Sequence, residues 1–313
     1  MIKNISVIGA GTMGHGIANA FAMYGYKVSV YDRNKKNHEN VIDEIKSELD
    51  LMAEENYIIG ERIERTLANI KIFSNLEEAV KNSDYVIEAI SENLELKQKL
   101  FNQLDKICPI HTILSSNTSS LSLSEITKNI SNERKKRVMI CHWYNPAHLM
   151  PIIELSYFGD MSEDIFSEVY SLYINIEKQP IKVMKDIPGM IANRMLHALA
   201  REVFYLIETG TASLEDVEKA LKYGPGFRGA TTGILESADL GGLDIWCTVE
   251  DNLFKELNNS DRACDLMKQK VKEGNLGLKT EKGFFKYPKE EKEKIRKDFF
   301  RRLIIQLKAS KNY

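Results

Sequence analysis

The sequence lacks the features that mark membrane-spanning, secreted and disordered chains. No apolar run approaches the roughly 20 residues that a transmembrane helix needs. No charged and then apolar leader precedes the strand-like residues that begin at Asn4. No internal repeat or low-complexity linker interrupts the chain. A globular protein without a membrane anchor is therefore expected, and 313 residues suit two domains better than one.

Cysteine and unbalanced charge are also scarce. The four cysteines form no CxxC pair and no disulfide-like spacing, which predicts a reduced, cytoplasmic compartment. Lys and Arg (43) nearly balance Asp and Glu (45), so neither a nucleic-acid surface nor an acidic tail is predicted. Residues 286–308 are locally basic, but their spaced apolar residues predict an amphipathic helix with a solvated face.

A glycine-rich turn directly follows the first apolar run. Residues 9–14 read Gly-Ala-Gly-Thr-Met-Gly, and a helix-forming segment comes after them. Gly9 permits a tight turn, Gly11 leaves room for a pyrophosphate, and Gly14 lets the helix lie close to the strand. The free N–H groups at the start of that helix favour an anion. The turn predicts a dinucleotide site with five contributing residues: Gly9, Gly11, Thr12, Met13 and Gly14.

The second predicted strand, residues 27–31, ends at Asp32. A carboxylate at this place accepts hydrogen bonds from the ribose hydroxyls and repels a 2′-phosphate, so NAD is predicted as the cofactor. Arg33 follows and leaves NADP as an alternative. A glycine-rich turn in some other α/β protein is the second alternative. The order strand, turn, helix, strand and acid favours the dinucleotide site.

Strands and helices alternate up to about residue 185. Further strands are predicted at 70–73, 85–90, 112–115, 137–140 and 151–155, separated by helices at 40–65, 75–80, 94–107 and 123–130. After residue 186 the pattern is helical, at 191–209, 214–223 and 235–246. The fold class predicted is an α/β N-terminal Rossmann domain with a mostly parallel sheet, residues 1–185, followed by an all-α C-terminal domain, residues 186–313.

His142 is the natural acid–base candidate, because it follows a predicted strand and imidazole titrates nearest neutrality. Glu154 lies in the next strand-like run, after a turn at Asn145-Pro146. Adjacent strands would bring its carboxylate to the second imidazole nitrogen and fix the tautomer. Two alternatives remain: a structural histidine at a strand end, and a zinc site with His148, for which the ligand spacing is unusual.

Other polar residues fall at the carboxyl ends of the predicted strands, where ligands of parallel sheets bind. Each has a structural alternative. Ser119 and Ser120 are possible caps of the helix near Leu123, and Glu92 and Lys97 are possible solvated surface charges. Asn193 lies near the start of a predicted long helix. Asn is unfavourable inside a helix, which indicates a functional role for this residue, and a surface position without a role is the alternative.

Together, these motifs resemble those of the NAD-dependent L-3-hydroxyacyl-CoA dehydrogenases, of the short bacterial 3-hydroxybutyryl-CoA dehydrogenase type. The resemblance runs nearly end to end. It rests on residues 9–14, 88–93 with Lys97, 116–121, 142–146, Glu154, Pro188-Gly189 with Asn193-Arg194, and 279–285. Several ordered motifs at the right separations are far more specific than the glycine-rich turn alone.

The resemblance implies a role for each matching residue. The catalytic residues it implies are His142, Glu154, Ser119 and Asn193. Glu92 and Lys97 would line the nicotinamide–ribose end of the cofactor site, and Asn117 is a further cofactor-binding residue. His142 would take the proton of the 3-hydroxyl while Glu154 holds the imidazole. Ser119 and Asn193 would hydrogen-bond the reacting oxygen or the thioester carbonyl. The resemblance also implies NAD as cofactor, no metal, an acyl-CoA substrate, and a homodimer formed mostly by the helical domain.

Two departures from the family pattern bear on the substrate. Relatives that take CoA carry a Ser and then Lys-rich sequence in the helix after the second strand. Here Ser47 is present, but Glu54-Glu55 replace the lysines, and carboxylates would repel the 3′-phosphate of CoA. Residues 225–228 and 142–149 are similar to a sister branch, the lambda-crystallin/gulonate, carnitine and pyridine-carboxylate dehydrogenases, which oxidise small hydroxy compounds without CoA.

Three functions follow from these observations. The first is reversible oxidation of a short-chain 3-hydroxyacyl-CoA, and the complete motif at 117–121 favours it. The second is oxidation of a hydroxy acid or hydroxylated small molecule that carries no CoA, which Glu54-Glu55 favour. The third is a non-catalytic NAD-binding or structural protein, and the intact set of His142, Glu154 and Asn193 is evidence against it.

Overall fold

A computed structural model describes residues 2–313, apart from the side chain of Glu39. The chain divides into two compact units. The first runs to Ile191 and includes Phe300–Leu307, and the second comprises Ala192–Phe299 and Lys308–Tyr313. The assignment of domains as 1–185 and 186–313 stays a prediction. Within residues 2–313, no helix is both long and apolar enough to cross a membrane.

One eight-stranded sheet forms the centre of the first unit. Its strands are β1 Asn4–Ile8, β2 Lys27–Tyr31, β3 Ile70–Phe73, β4 Tyr85–Glu88, β5 Ile113–Ser116, β6 Val138–Trp143, β7 Ile152–Ser156 and β8 Gln179–Val183. They lie in the order β3-β2-β1-β4-β5-β6-β7-β8. All neighbours are parallel except β6 and β7. The predicted Rossmann-type, mostly parallel sheet is confirmed.

Eight helices connect these strands. They are α1 Gly14–Ala22, α2 Lys35–Glu54, α3 Glu61–Leu67, α4 Leu76–Val80, α5 Leu94–Ile107, α6 Leu123–Ile126, α7 Asn132–Lys135 and α8 Glu163–Asn175. The helical pattern predicted over 40–65 is divided between α2 and α3, because α2 ends at Glu54 and Asn56 takes a left-handed φ of 53°. A left-handed residue cannot continue a right-handed helix.

Apolar residues cover both faces of the sheet. Neighbouring residues of one strand belong to different clusters: Val7 and Ile87 to one, Ile8 and Val86 to the other. Successive side chains of a strand point to opposite faces, so these runs must be apolar throughout. Phe21, Trp143 and Tyr173 pack edge-on or tilted in the first cluster. The buried strands fix the carboxyl ends of β1, β4, β5 and β6, where the site lies.

The second unit contains the remaining helices: α9 Ala192–Glu208, α10 Leu214–Tyr223, α11 Pro225–Gly229, α12 Ile234–Gly241, α13 Leu243–Leu253, α14 Asp265–Lys272 and parts of α15 Lys292–Ala309. The helical character predicted for it is confirmed. The single helix predicted over 235–246 is wrong, because Gly242 has a φ of 93° and separates α12 from α13.

Candidate active site

The glycine-rich turn has the backbone that its sequence requires. Gly9 has a φ of 104°, and a Cβ there would lie 2.6 Å from the Ala89 carbonyl oxygen. A Cβ on Gly14 would collide with the Gly9 carbonyl oxygen, so neither position tolerates a side chain. Gly11 differs, because no atom outside Gly11 and its two chain neighbours lies within 4 Å of its Cβ position. Gly11 and the exposed Thr12 thus border open space beside the start of α1, where Met13 occupies the N-cap position without a side-chain capping bond.

Asp32 ties the end of β2 to this turn. Its Oδ2 accepts hydrogen bonds from the Ala10 N–H at 2.8 Å and from the Asn37 side chain at 3.0 Å, and its Oδ1 accepts from the Asn34 N–H. Burial acts to raise the pKa of Asp32, but these three hydrogen bonds outweigh it and lower the pKa. The residue therefore presents a negative charge at the place that the sequence predicts.

A cavity of about 520 Å³ lies beside Asp32. Its lining includes Gly9, Gly11, Asp32, Arg33 and Ile90. The open space at Gly11, the start of α1 and a carboxylate at the end of β2 together fit a dinucleotide: phosphates at the turn and a ribose at Asp32. Arg33 shares the cavity wall with Asp32.

His142 and Glu154 face each other across the antiparallel pair β6–β7. They are partners in register, and the His142 Nδ1–H donates to Glu154 Oε2 at 2.7 Å. His142 is 3% exposed and Glu154 is fully buried. The other oxygen of Glu154 accepts from the Ile191 N–H at 2.9 Å. A carboxylate fixed at both oxygens holds the imidazole in one tautomer, with Nε2 directed away from it.

Ser119 contacts the other ring nitrogen of His142, Nε2. Its Oγ lies 3.0 Å from His142 Nε2, so Ser119 is not a helix cap. The residue before α6 is Ser122, which makes no capping bond with its side chain. An exposed hydroxyl against the reactive nitrogen of a buried histidine suits a residue that contacts a ligand.

Glu92 holds the loop that carries Ser119. One of its oxygens accepts from the N–H groups of Ser119 and Ser120 and from the hydroxyls of Thr118 and Ser120. Burial acts to raise the pKa of Glu92, but the Thr118 hydroxyl, the Lys97 charge and the Ser120 and Ser119 bonds lower it. Glu92 is exposed just before α5, as the alternative of a helix-start acid expects, but its carboxylate also holds the Ser119 loop.

Lys97 is 1% exposed, so the alternative of a solvated lysine is wrong. Its Nζ lies 2.6 Å from Glu88 Oε1 and 3.4 Å from Glu92 Oε2. Glu88 also accepts from the Ser116 hydroxyl and the Ile90 N–H. Sequence reasoning gave Glu88 no role, although an acid within the apolar run of β4 was the signal for a buried partner.

Two further predicted residues have separate places. Asn117 follows β5, and its Oδ1 accepts from the Trp143 N–H at 2.8 Å, which joins the ends of β5 and β6. Asn193 is the second residue of α9 and belongs to the second unit.

Tyr144, which was not predicted, packs edge-on against His142. Burial and the charge of Glu154 raise the pKa of Tyr144 to about 12.

The zinc alternative is not compatible with this geometry. His148 lies 3.2 Å from Glu48 rather than beside His142 and Glu154. His142 Nδ1 is bonded directly to Glu154 Oε2 at 2.7 Å, which leaves no place for an ion between these two side chains. Across residues 2–313, no group of three His, Cys, Asp or Glu side chains is arranged to hold a metal ion.

Several known proteins are similar in sequence to this chain along most of its length. A probable 3-hydroxybutyryl-CoA dehydrogenase of Bacillus subtilis (strain 168) is 37% identical over 287 residues, 91% of this chain and 98% of that protein. A 5-formyl-3-hydroxy-2-methylpyridine 4-carboxylate 5-dehydrogenase of Mesorhizobium japonicum is 30% identical over 97% of both chains. A solved structure of a 5-dehydrogenase for that same pyridine acid, an NAD⁺-dependent dismutase, has a TM-score of 0.91 at 28% identity over 99% of both chains.

Two sequence profiles match in order. The 3-hydroxyacyl-CoA dehydrogenase NAD binding domain matches residues 4–187, which include the glycine-rich turn, Asp32 and the His142–Glu154 pair. The 3-hydroxyacyl-CoA dehydrogenase C-terminal domain matches residues 189–287. With an NAD-binding domain and a buried His142–Glu154 pair at the edge of its sheet, the chain belongs to the 3-hydroxyacyl-CoA dehydrogenase family of NAD-dependent oxidoreductases.

Proposed function

We propose that the chain catalyses the reversible oxidation of a substrate hydroxyl to a carbonyl, with His142 as general base and acid. The observation that carries this proposal is the chain of contacts Glu154–His142–Ser119, at 2.7 and 3.0 Å. NAD, when bound, supplies the acceptor for the hydride that the substrate carbon loses. The imidazole Nε2 takes the hydroxyl proton in oxidation and returns it to the carbonyl oxygen in reduction.

Each residue around His142 supports one part of this reaction. The Glu154 carboxylate stabilises the imidazolium that forms and keeps Nε2 available. The Ser119 hydroxyl, held by the Glu92-capped loop, orients the reacting oxygen at Nε2. Glu92, Lys97 and Asn117 shape the sheet edge at which the nicotinamide would lie. Asn193 is proposed as a second hydrogen-bond donor to the substrate.

A short-chain 3-hydroxyacyl-CoA, such as 3-hydroxybutyryl-CoA, is the first candidate substrate. The family profiles and the 37% identity to the Bacillus subtilis protein support it. The repulsion of a CoA phosphate by Glu54 and Glu55 is weaker than the sequence suggests. Both carboxylates pair with Arg301, which offsets part of their negative charge.

A hydroxylated small molecule without CoA is the second candidate, and the last 26 residues favour it. The family profile ends at residue 287, and the Bacillus subtilis protein aligns with only 91% of this chain. The pyridine-acid dehydrogenase structure instead covers 99% of both chains. Here, Phe300–Leu307 of α15 pack in the first unit, where Arg301 Nε lies 2.6 Å from Glu55.

One assay separates the candidates. NADH oxidation is measured with acetoacetyl-CoA, with free acetoacetate and with a carbonyl-bearing pyridine carboxylate. Turnover of acetoacetyl-CoA alone supports the first candidate, and turnover of a free acid alone supports the second. If no hydroxy or carbonyl compound in either class is turned over while NADH binds, the proposed reaction is wrong.

We further propose a homodimer formed through the second unit. Helices α9 and α13 have no buried residue. Large apolar side chains that are about half or more exposed include Met195, Leu196, Leu235, Leu240, Leu243, Ile245 and Val249. An exposed apolar surface of this kind is typical of a subunit interface. Light scattering should give about twice the chain mass of 35.8 kDa, and the mass of a monomer at micromolar concentration would contradict the dimer.

A further inference from the structure

A second buried cluster, made of three ionisable side chains and one amide, does not include His142. It joins His15 and Asn19 of α1, Glu48 of α2, and His148 of the loop between β6 and β7. All four are at most 6% exposed. Glu48 Oε1 lies 3.0 Å from His15 Nε2 and 3.2 Å from His148 Nδ1, and Glu48 Oε2 accepts from the Asn19 amide at 3.0 Å. Nothing in the proposed reaction uses this cluster.

The contacts of His15 determine its protonation. Its Nε2 faces Glu48, and its Nδ1 lies 3.0 Å from the Gly11 carbonyl oxygen. A carbonyl and an ionised carboxylate only accept hydrogen bonds, so each of these two bonds needs a proton on its ring nitrogen. The contacts therefore favour the imidazolium form of His15.

Burial acts to lower the pKa of His15, but the bond and charge of Glu48, the charge of Glu44 and the Gly11 carbonyl raise it above 6.5. Burial acts to raise the pKa of Glu48, but His148, His15 and Asn19 lower it. Among the described residues, the charged groups that face His15 are Glu48 and, at 3.3 Å, Glu44, both on α2; His148 reaches it only through Glu48.

The Gly11 carbonyl belongs to the peptide that joins Gly11 to Thr12. In a trans peptide the C=O and N–H point in opposite directions. The Gly11 carbonyl accepts from the His15 backbone N–H at 3.3 Å and lies 3.0 Å from His15 Nδ1, so the ring is a second donor to a carbonyl that points along α1. The Thr12 N–H is then directed the opposite way, out of the start of the helix. A backbone N–H fixed at the start of a helix is the group that binds a phosphate oxygen.

We infer that His15 and Glu48 are positioning residues for the diphosphate of NAD: Glu48 keeps His15 charged, and His15 holds the Gly11–Thr12 peptide in its phosphate-binding orientation. Neither side chain touches the phosphate. The inference concerns cofactor binding alone, so it stands or falls independently of the substrate. It predicts that NADH affinity falls as the pH rises through the pKa of His15, because the neutral ring loses one of its two N–H donors.

The test compares Glu48→Gln with Asp43→Asn. Both change one carboxylate of α2 to an amide of the same shape, but Asp43 is exposed. The dissociation constant of NADH is measured by fluorescence titration from pH 5.5 to 9.5. At pH 7, Glu48→Gln should weaken NADH binding about tenfold, as expected for one lost charge-assisted hydrogen bond. The NADH affinity of Glu48→Gln should also begin to fall at a lower pH than that of the wild type. Asp43→Asn should match the wild type in both respects.

A second variant and a direct measurement cover the case that Glu48→Gln does not fold. His15→Gln cannot carry a charge, so its NADH affinity should be weak and should lose the wild-type pH dependence. In the wild type, NMR titration of the His15 ring should show a higher pKa with NADH than without it, because linkage is reciprocal. If His15→Gln binds NADH within twofold of the wild type at every pH, or NADH leaves the His15 pKa unchanged, the inference is wrong.

Discussion

Glu154 Oε2 lies 2.7 Å from His142 Nδ1, across a pair of strands that places the two residues directly opposite each other. The pairing is rigid because both strands are buried and the second oxygen of Glu154 holds the Ile191 N–H. In this arrangement a single carboxylate fixes the imidazole and the backbone just before α9. Changes at either residue therefore have separable effects, one on proton transfer and one on orientation.

His142→Ala should lower kcat by at least about 10²-fold, because positioned acid–base catalysis contributes about 10²–10⁴-fold. NADH binding should stay near normal, since His142 takes no part in the turn that holds the diphosphate. The measurement is steady-state NADH oxidation with the accepted substrate, together with an NADH titration. His111→Ala, which removes a histidine whose side chain is 61% exposed, is the control. Full activity in His142→Ala would remove this residue from the mechanism.

Glu154→Gln should preserve the shape of the site but remove the charge that stabilises the imidazolium. The amide would also have to choose between donating to His142 and accepting from it, so part of the population would hold the wrong tautomer. We expect kcat to fall at least about tenfold, with a smaller change in KM. The exposed Glu125→Gln is the matched control. Equal kcat values in the two variants would show that Glu154 has only a structural role.

Asp32 should decide between NAD and NADP. Asp32→Ser removes the carboxylate that would repel a 2′-phosphate and leaves Arg33 beside the same cavity. NADH should bind at least about tenfold more weakly, because the ribose loses a charged acceptor and the Ala10 N–H loses its partner. NADPH should bind more tightly than it does to the wild type. The double variant Asp32→Ser, Arg33→Ala should lose that gain. Unchanged preference in fluorescence titrations would contradict the role of Asp32.

The cofactor turn and the catalytic pair are predictable from sequence because their signals are local. The glycine spacing fixes the turn, and a turn between two apolar runs places His142 and Glu154 on neighbouring strands. Strand β8 was not predicted, because Pro180 lies inside it and proline usually excludes a strand. The structure tolerates Pro180 because β8 is the edge of the sheet. The buried pairs of Lys97 and of Glu48 were missed because long-range packing, not spacing, brings their partners together.

The C-terminal helix was predicted only as an amphipathic segment, yet part of it belongs to the core of the first unit. Ile304 is fully buried there, and Phe300, Leu303 and Leu307 pack around the same cluster. Ile304→Ala should lower the free energy of unfolding by about 2–5 kcal/mol, because it removes buried apolar atoms and leaves a cavity.

Ile305→Ala is the matched control, since Ile305 is 58% exposed and its truncation should change the free energy of unfolding by less than about 0.5 kcal/mol. Denaturant unfolding, monitored by tryptophan fluorescence to which Trp143 of the same cluster contributes, gives both values. Equal stabilities of the two variants would mean that α15 does not pack on the first unit in solution. A selective loss in Ile304→Ala would instead show that the residues beyond the family's C-terminal domain are part of the NAD-binding core.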